Sequence, residues 1–116
     1  MSFNYQARRV RDAGHPPWHR LSSLRACVRS YCVLTGAAYA NLSTNLGLDF
    51  PYDPQRAPPT DDFLRRVLDQ VERERNRYLE RLRVFERKRS LAKAHGNRQL
   101  SSAERTLLRE MRGHVG

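Results

Sequence analysis

The feature that most constrains this chain is the run from Thr60 to His95, "TDDFLRRVLDQVERERNRYLERLRVFERKRSLAKAH", which reads as one uninterrupted helix. Its start is sharply marked. Pro58-Pro59 cannot continue a helix backwards, Thr60 is a suitable N-cap, and Asp61 and Asp62 fall in the first turn, where the helix dipole favours anions. Leu64, Leu68, Val71, Tyr78, Leu82, Phe85 and Ala92 then recur at steps of three and four. Arg75 and Arg89 occupy places where this stripe calls for an apolar residue. At ~1.5 Å per residue the rod is roughly 50 Å long. A narrow, interrupted stripe is the pattern of a helix laid against something else, so Leu64, Leu68, Val71, Tyr78, Leu82 and Phe85 are expected at an interface with a partner protein.

Little else in the chain promises a core to hold such a rod. It has 116 residues, 39% of them apolar and 29% charged. Small domains bury a modest share of their surface, and here the apolar residues are spread thinly along helical stripes. The expectation is an all-α, non-globular chain with no independent globular domain, drawing much of its stabilising burial from a partner.

Upstream, residues 1–20 read as an extended basic arm. "QARRVR" supplies Arg8, Arg9 and Arg11; "DAGHPPWHR" follows, with Gly14, Pro16 and Pro17 as breakers, Trp18 as an aromatic anchor and Arg20 beyond it. Residues 21–48 read as a short helix followed by a small-residue segment. The helix runs from a cap at Ser22 or Ser23 to about Leu34, with Leu21, Leu24, Val28, Tyr31 and Cys32 on one side and Arg25 and Arg29 on another. Gly36 ends it. Residues 49–59, "DFPYDPQRAPP", form a stiff proline-ruled connector in which Phe50 and Tyr52 lie two apart and are expected, with Trp18, at a protein interface, both docking into a groove. Residues 60–116 carry the long helix, to about His95, and a C-terminal helix over about 102–112. "HGN" is a stop, and Ser101 with Glu104 reads as a capping box.

The charge is +10, from twenty Arg and only two Lys. Arginine's planar five-donor fork fits phosphate bidentately and stacks on bases, which suits contact with a nucleic-acid backbone. Residues 1–48 hold six Arg against Asp12 alone; residues 49–80 hold six basic and eight acidic groups; residues 81–116 hold ten basic and three acidic groups. Two cationic ends flank a mixed-charge strut. The candidate RNA-binding residues are Arg8, Arg9, Arg11, Arg20, Arg25 and Arg29 near the start, and Arg83, Arg87, Lys88, Arg89, Lys93 and Arg98 toward the end. The latter group covers more than one face of the helix, as threading between phosphates requires.

Catalytic patterns are absent from the sequence: there is no phosphate-cradling glycine loop, nucleophile elbow or HExxH. Glu72, Glu74, Glu80 and Glu86 have Arg neighbours at helical spacing and read as a paired, solvated face, so no enzymatic activity and no cofactor are expected. Cys27 and Cys32 lack the companions of a zinc site and read as small buried hydrophobes. Nothing approaches the ~18–20 apolar residues of a membrane span. The Arg-bearing, acid-poor first 48 residues have the composition of a mitochondrial targeting region, which a basic ribosomal arm shares.

At "GLDFPYDPQRAPPTDDFLRR" the chain resembles a mitochondrial ribosomal family, the one numbered fifty-two in the large-subunit series. The matching residues are Asp49, Phe50, Tyr52, Arg56, Pro58 and Pro59, with Leu64, Arg65 and Arg66 opening the helix; "TGAAYAN" upstream is loosely similar. Pro51 and the capped C-terminal helix depart from that pattern. The resemblance implies a non-catalytic accessory subunit in the mitochondrial matrix, with ribosomal RNA and ribosomal proteins as partners and no homo-oligomer. A second reading of the same arginine stripes is a filament-lining protein, such as one bound to the acidic surface of a microtubule. A DNA-binding regulator is disfavoured by the lack of a recognition-helix pattern.

Overall fold

A computed structural model describes residues 2–49, 53, 55–94, 96 and 102–113, and the chain is all-α, as expected. Five helices follow one another: α1 (Phe3–Arg11), α2 (Pro17–Thr35), α3 (Tyr39–Asn45), α4 (Asp61–Ala94) and α5 (Ser102–Gly113).

The first departure from expectation is α1, since residues 3–11 are helical rather than an extended arm. Ser2 caps the helix, its Oγ accepting from the Tyr5 amide at 3.2 Å. The stripe that buries it is Phe3, Gln6, Ala7 and Val10, which has helical spacing. Gln6 and Ala7 make that period easy to overlook. The second departure is the start of α2 at Pro17, several residues before Ser22. Proline at the first helical position has no amide to lose and its φ is already helical, so Pro16-Pro17 launches the helix instead of forbidding it. The stop at Gly36 holds, with φ 81° and its amide donating to the Cys32 carbonyl.

A core forms where α1, α2 and the first part of α4 meet. Phe3, Ala7 and Val10 from α1, Leu21, Leu24, Cys27, Val28, Tyr31 and Cys32 from α2, and Leu64, Val67, Leu68 and Val71 from α4 are buried together with Leu46 and Leu48. Leu64, Leu68 and Val71 therefore pack inside this chain, not against a partner. Cys27 and Cys32 are free and buried, packed as small hydrophobes. The short α3 closes one end. Its C-terminus is a Schellman turn: the Gly47 amide donates to Thr44 O at 3.0 Å and the Leu48 amide to Ser43 O at 2.9 Å, with Gly47 at φ 75° and Leu48 wholly buried.

The connector reaches α4 through a turn held by Asp53, whose side chain accepts from the Gln55 amide at 2.9 Å. Thr60 caps α4 as expected, its Oγ1 accepting from the Phe63 amide at 3.1 Å. α4 then runs past the core, and α5 folds back onto its far end. The result is elongated, 62 × 24 × 20 Å, with a radius of gyration of 17.6 Å. A compact chain of this length would have about 13 Å. The architecture is a three-helix head with a projecting helical hairpin.

Candidate nucleic-acid interface

Arginine is the material of both the fold and any nucleic-acid surface, so the first question is which guanidiniums the fold already uses. Four of them fasten the head. Arg20, only 4% exposed, donates through Nε to the Val10 carbonyl at 2.7 Å and through its terminal nitrogen to Asp61. Arg65 donates to the Arg11 carbonyl at 2.7 Å and to the same Asp61 at 2.9 Å. The last carbonyls of α1, which have no partner within their own helix, are thus satisfied by side chains of α2 and α4. Arg11 in turn reaches across to α4, to Glu72 at 2.7 Å and Asp69 at 2.9 Å. Those two carboxylates hold its guanidinium protonated well above the ordinary range. Arg25 donates to the Leu48 carbonyl at 2.8 Å, tying α2 to the end of the α3 turn.

The two arginines that interrupt the apolar stripe of α4 have the same character. Arg75 lies over the Phe3 ring, 4.5 Å from its centroid, and covers the edge of the core. Arg89 donates to Glu104 at 3.2 Å, with the side chains 14% and 6% exposed, so it joins α4 to α5. Arg11, Arg20, Arg25 and Arg89 therefore serve helix packing, where the sequence placed them among the phosphate contacts. Acceptors far away in sequence make the difference, carboxylates for Arg11, Arg20 and Arg89 and the Leu48 carbonyl for Arg25, and no local pattern announces them.

The outward-facing cations remain. On the hairpin, Arg83, Arg87, Lys88 and Lys93 are exposed on α4, and Arg105 and Arg109 are exposed on α5. Of the described carboxylates nearby, Glu86 and Glu110 face solvent while Glu104 is buried. Shallow grooves run between the cations. One is lined by Asn76, Leu79, Glu80, Arg83, Val84 and Arg87, the other by Phe85, Glu86, Arg89, Ser90 and Lys93. Tyr78, Leu82 and Phe85 are half-buried, so this part of the expected apolar interface stays partly open to solvent. On the head, Arg8 and Arg29 are exposed and Arg9 is half-buried. Trp18 packs against the core instead of reaching outward as an anchor. Phe50, Tyr52, Ser101 and Arg98 lie outside the described residues.

Among the described residues no group of three His, Cys, Asp or Glu side chains comes together as a metal site would require. No helix among them is long and apolar enough to cross a membrane. No family model, curated protein or solved structure matches this chain.

Proposed function

We propose that this protein is a non-catalytic subunit of a ribonucleoprotein, with the mitochondrial ribosome as the assembly and the α4–α5 hairpin as the element that enters RNA. One observation carries the reading: once the arginines that fasten the fold are set aside, the exposed cations of the hairpin still surround the rod. Arg83, Arg87, Lys88, Lys93, Arg105 and Arg109 are exposed there. A folded head with a projecting basic rod suits a protein that docks at one place and reaches phosphates at another. Phosphate contact gives affinity without reading sequence. The likeness around "GLDFPYDPQRAPPTDD" and the acid-poor N-terminal composition support the mitochondrial assignment.

The test is sedimentation of tagged protein in mitochondrial lysate, with and without ribonuclease. Co-migration with a large particle that is lost on digestion is expected; protein at the top of the gradient in both refutes the proposal. For direct contact, R83Q/R87Q/K88Q should weaken RNA binding and flatten its salt dependence by up to about two log–log units, at ~0.7 per single-strand phosphate. Arg89 is left intact because replacing it would disturb the hairpin itself.

A further inference from the structure

Between α1 and α2 a cleft of about 370 Å³ opens beside the head, within the ~300–1,000 Å³ range of small-ligand sites. Arg9 and Gln6 line it from α1, and His19, Ser22, Ser23 and Arg29 line it from α2. None of its described lining residues is acidic.

Two features separate these arginines from their neighbours. Arg11, Arg20 and Arg25, close by in sequence, each donate to a carboxylate or a carbonyl of another element. Arg9 and Arg29 form no ion pair with a carboxylate among the described residues. Instead each lies over a tyrosine ring, Arg9 above Tyr5 at 5.9 Å and Arg29 above Tyr39 at 4.9 Å from the centroids. A cation–π contact of this kind draws a guanidinium toward an aromatic face without using up its N–H groups, which stay available to an acceptor. Two like charges facing one cleft repel each other, and a bound anion relieves that repulsion. The serine hydroxyls and the imidazole of the same lining add further hydrogen-bonding groups.

We infer that the α1–α2 cleft is a binding site for a phosphoryl group, gripped by Arg9 and Arg29 from opposite helices and hydrogen-bonded by Ser22, Ser23 and His19. Phosphate suits the site because its tetrahedral oxygens accept from two guanidinium forks at once, and charge-assisted bonds of this kind are the stronger ones. The group belongs either to free phosphate or to the backbone of an RNA strand. The site does not depend on the hairpin: its residues lie on the head, and it stands whether or not the hairpin binds RNA.

The test is an amide-shift NMR titration of the full chain at low ionic strength, with inorganic phosphate in one arm and a short oligouridylate in the other. Saturable shifts at Arg9, Ser22, Ser23 and Arg29 are expected in at least one arm. R9Q/R29Q should lower that affinity at least tenfold, while R83Q/R87Q/K88Q leaves these shifts unchanged. R9K/R29K keeps the charge but loses the fork, and should bind severalfold more weakly than the wild type, with its helical circular dichroism retained. Equal saturation by both probes assigns a free-phosphate site; oligouridylate binding at least tenfold tighter than phosphate assigns the RNA backbone. No saturable shift with either probe, the same shifts in R9Q/R29Q, or wild-type affinity in R9K/R29K overturns the proposal.

Discussion

Arg89 of α4 meets Glu104 of α5 at 3.2 Å, in a setting that leaves the two side chains 14% and 6% exposed. A pair removed from water to this degree is costly to break from one side only, since the remaining charge keeps its burial and loses its partner. Glu104→Gln should therefore release α5, at a cost of up to about 3–5 kcal/mol to the hairpin. Hydrogen exchange would show it: protection in α5 should fall while amides of α2 keep theirs. The double change R89M/E104L should recover most of the lost protection, because an apolar pair of similar volume needs no desolvated charge.

The buried cluster of the head leads to a second expectation. Leu24 and Leu68 are fully buried on facing helices. Leu24→Ala or Leu68→Ala should each cost about 2–5 kcal/mol. Urea denaturation followed by circular dichroism should show a cooperative transition whose midpoint falls in both variants. Leu91→Ala, at a side chain 61% exposed on the far part of α4, should leave that midpoint in place.

Alkaline pH should weaken the head. Burial, and next to it the charge of Glu72, pushes the Cys27 thiol up to about 12. Burial raises Cys32 and, as the first of several causes, Tyr31 as well. Each group holds its proton more tightly folded than unfolded. Their contribution is intact below the unfolded thiol value of roughly 8.5 and declines as pH rises through the folded values. The urea midpoint should fall from pH 8 to pH 11. At pH 8 a thiol reagent should label the native protein far more slowly than the protein in urea.

Acid acts through a different residue. Hydrogen bonds from Arg20 first, and then from Arg65, hold the Asp61 carboxylate below its ordinary value. The bonus is present above the unfolded aspartate value of roughly 3.9 and is lost as pH falls through the folded one. Asp61→Asn should lower the urea midpoint at pH 6 and narrow the difference between pH 6 and pH 3. A variant with the wild-type acid profile would mean that the pairing of Asp61 with Arg20 and Arg65 does not stabilise the head.

The local signals of the sequence were readable where one short stretch decides the outcome. The cap at Thr60, the stop at Gly36, the break at Gly96 and the apolar side of α2 all follow from backbone chemistry within a few residues. Helix α1 is hard to read because its stripe contains a glutamine and an alanine, and the start of α2 because Pro16-Pro17 reads locally as a breaker and not as a launch. The arginines were harder still. Arg8 and Arg11 look alike in sequence; only the pairing of α1 with α4 brings Asp69 and Glu72 to one of them. Arg75 and Arg89 stood out as flaws in the stripe of α4, yet each lies at a join, one against Phe3 and the other against Glu104.

Between Val71, the last buried side chain of the head on α4, and Arg89, where α5 attaches, no residue of that helix is fully buried. From Arg75, which still lies against Phe3 of the head, to Arg89, α4 carries head and hairpin apart over roughly 21 Å, at ~1.5 Å per residue, with side chains that are half-buried or exposed. Such a span sets an angle as well as a length. One inserted residue would swing the basic faces about 100° around the axis while lengthening the rod only slightly. Seven would move them outward by about 10 Å and return them almost to their original heading. α4 thus works as an indexed shaft: the number of residues in its middle stretch decides which way the cations point once the head is seated.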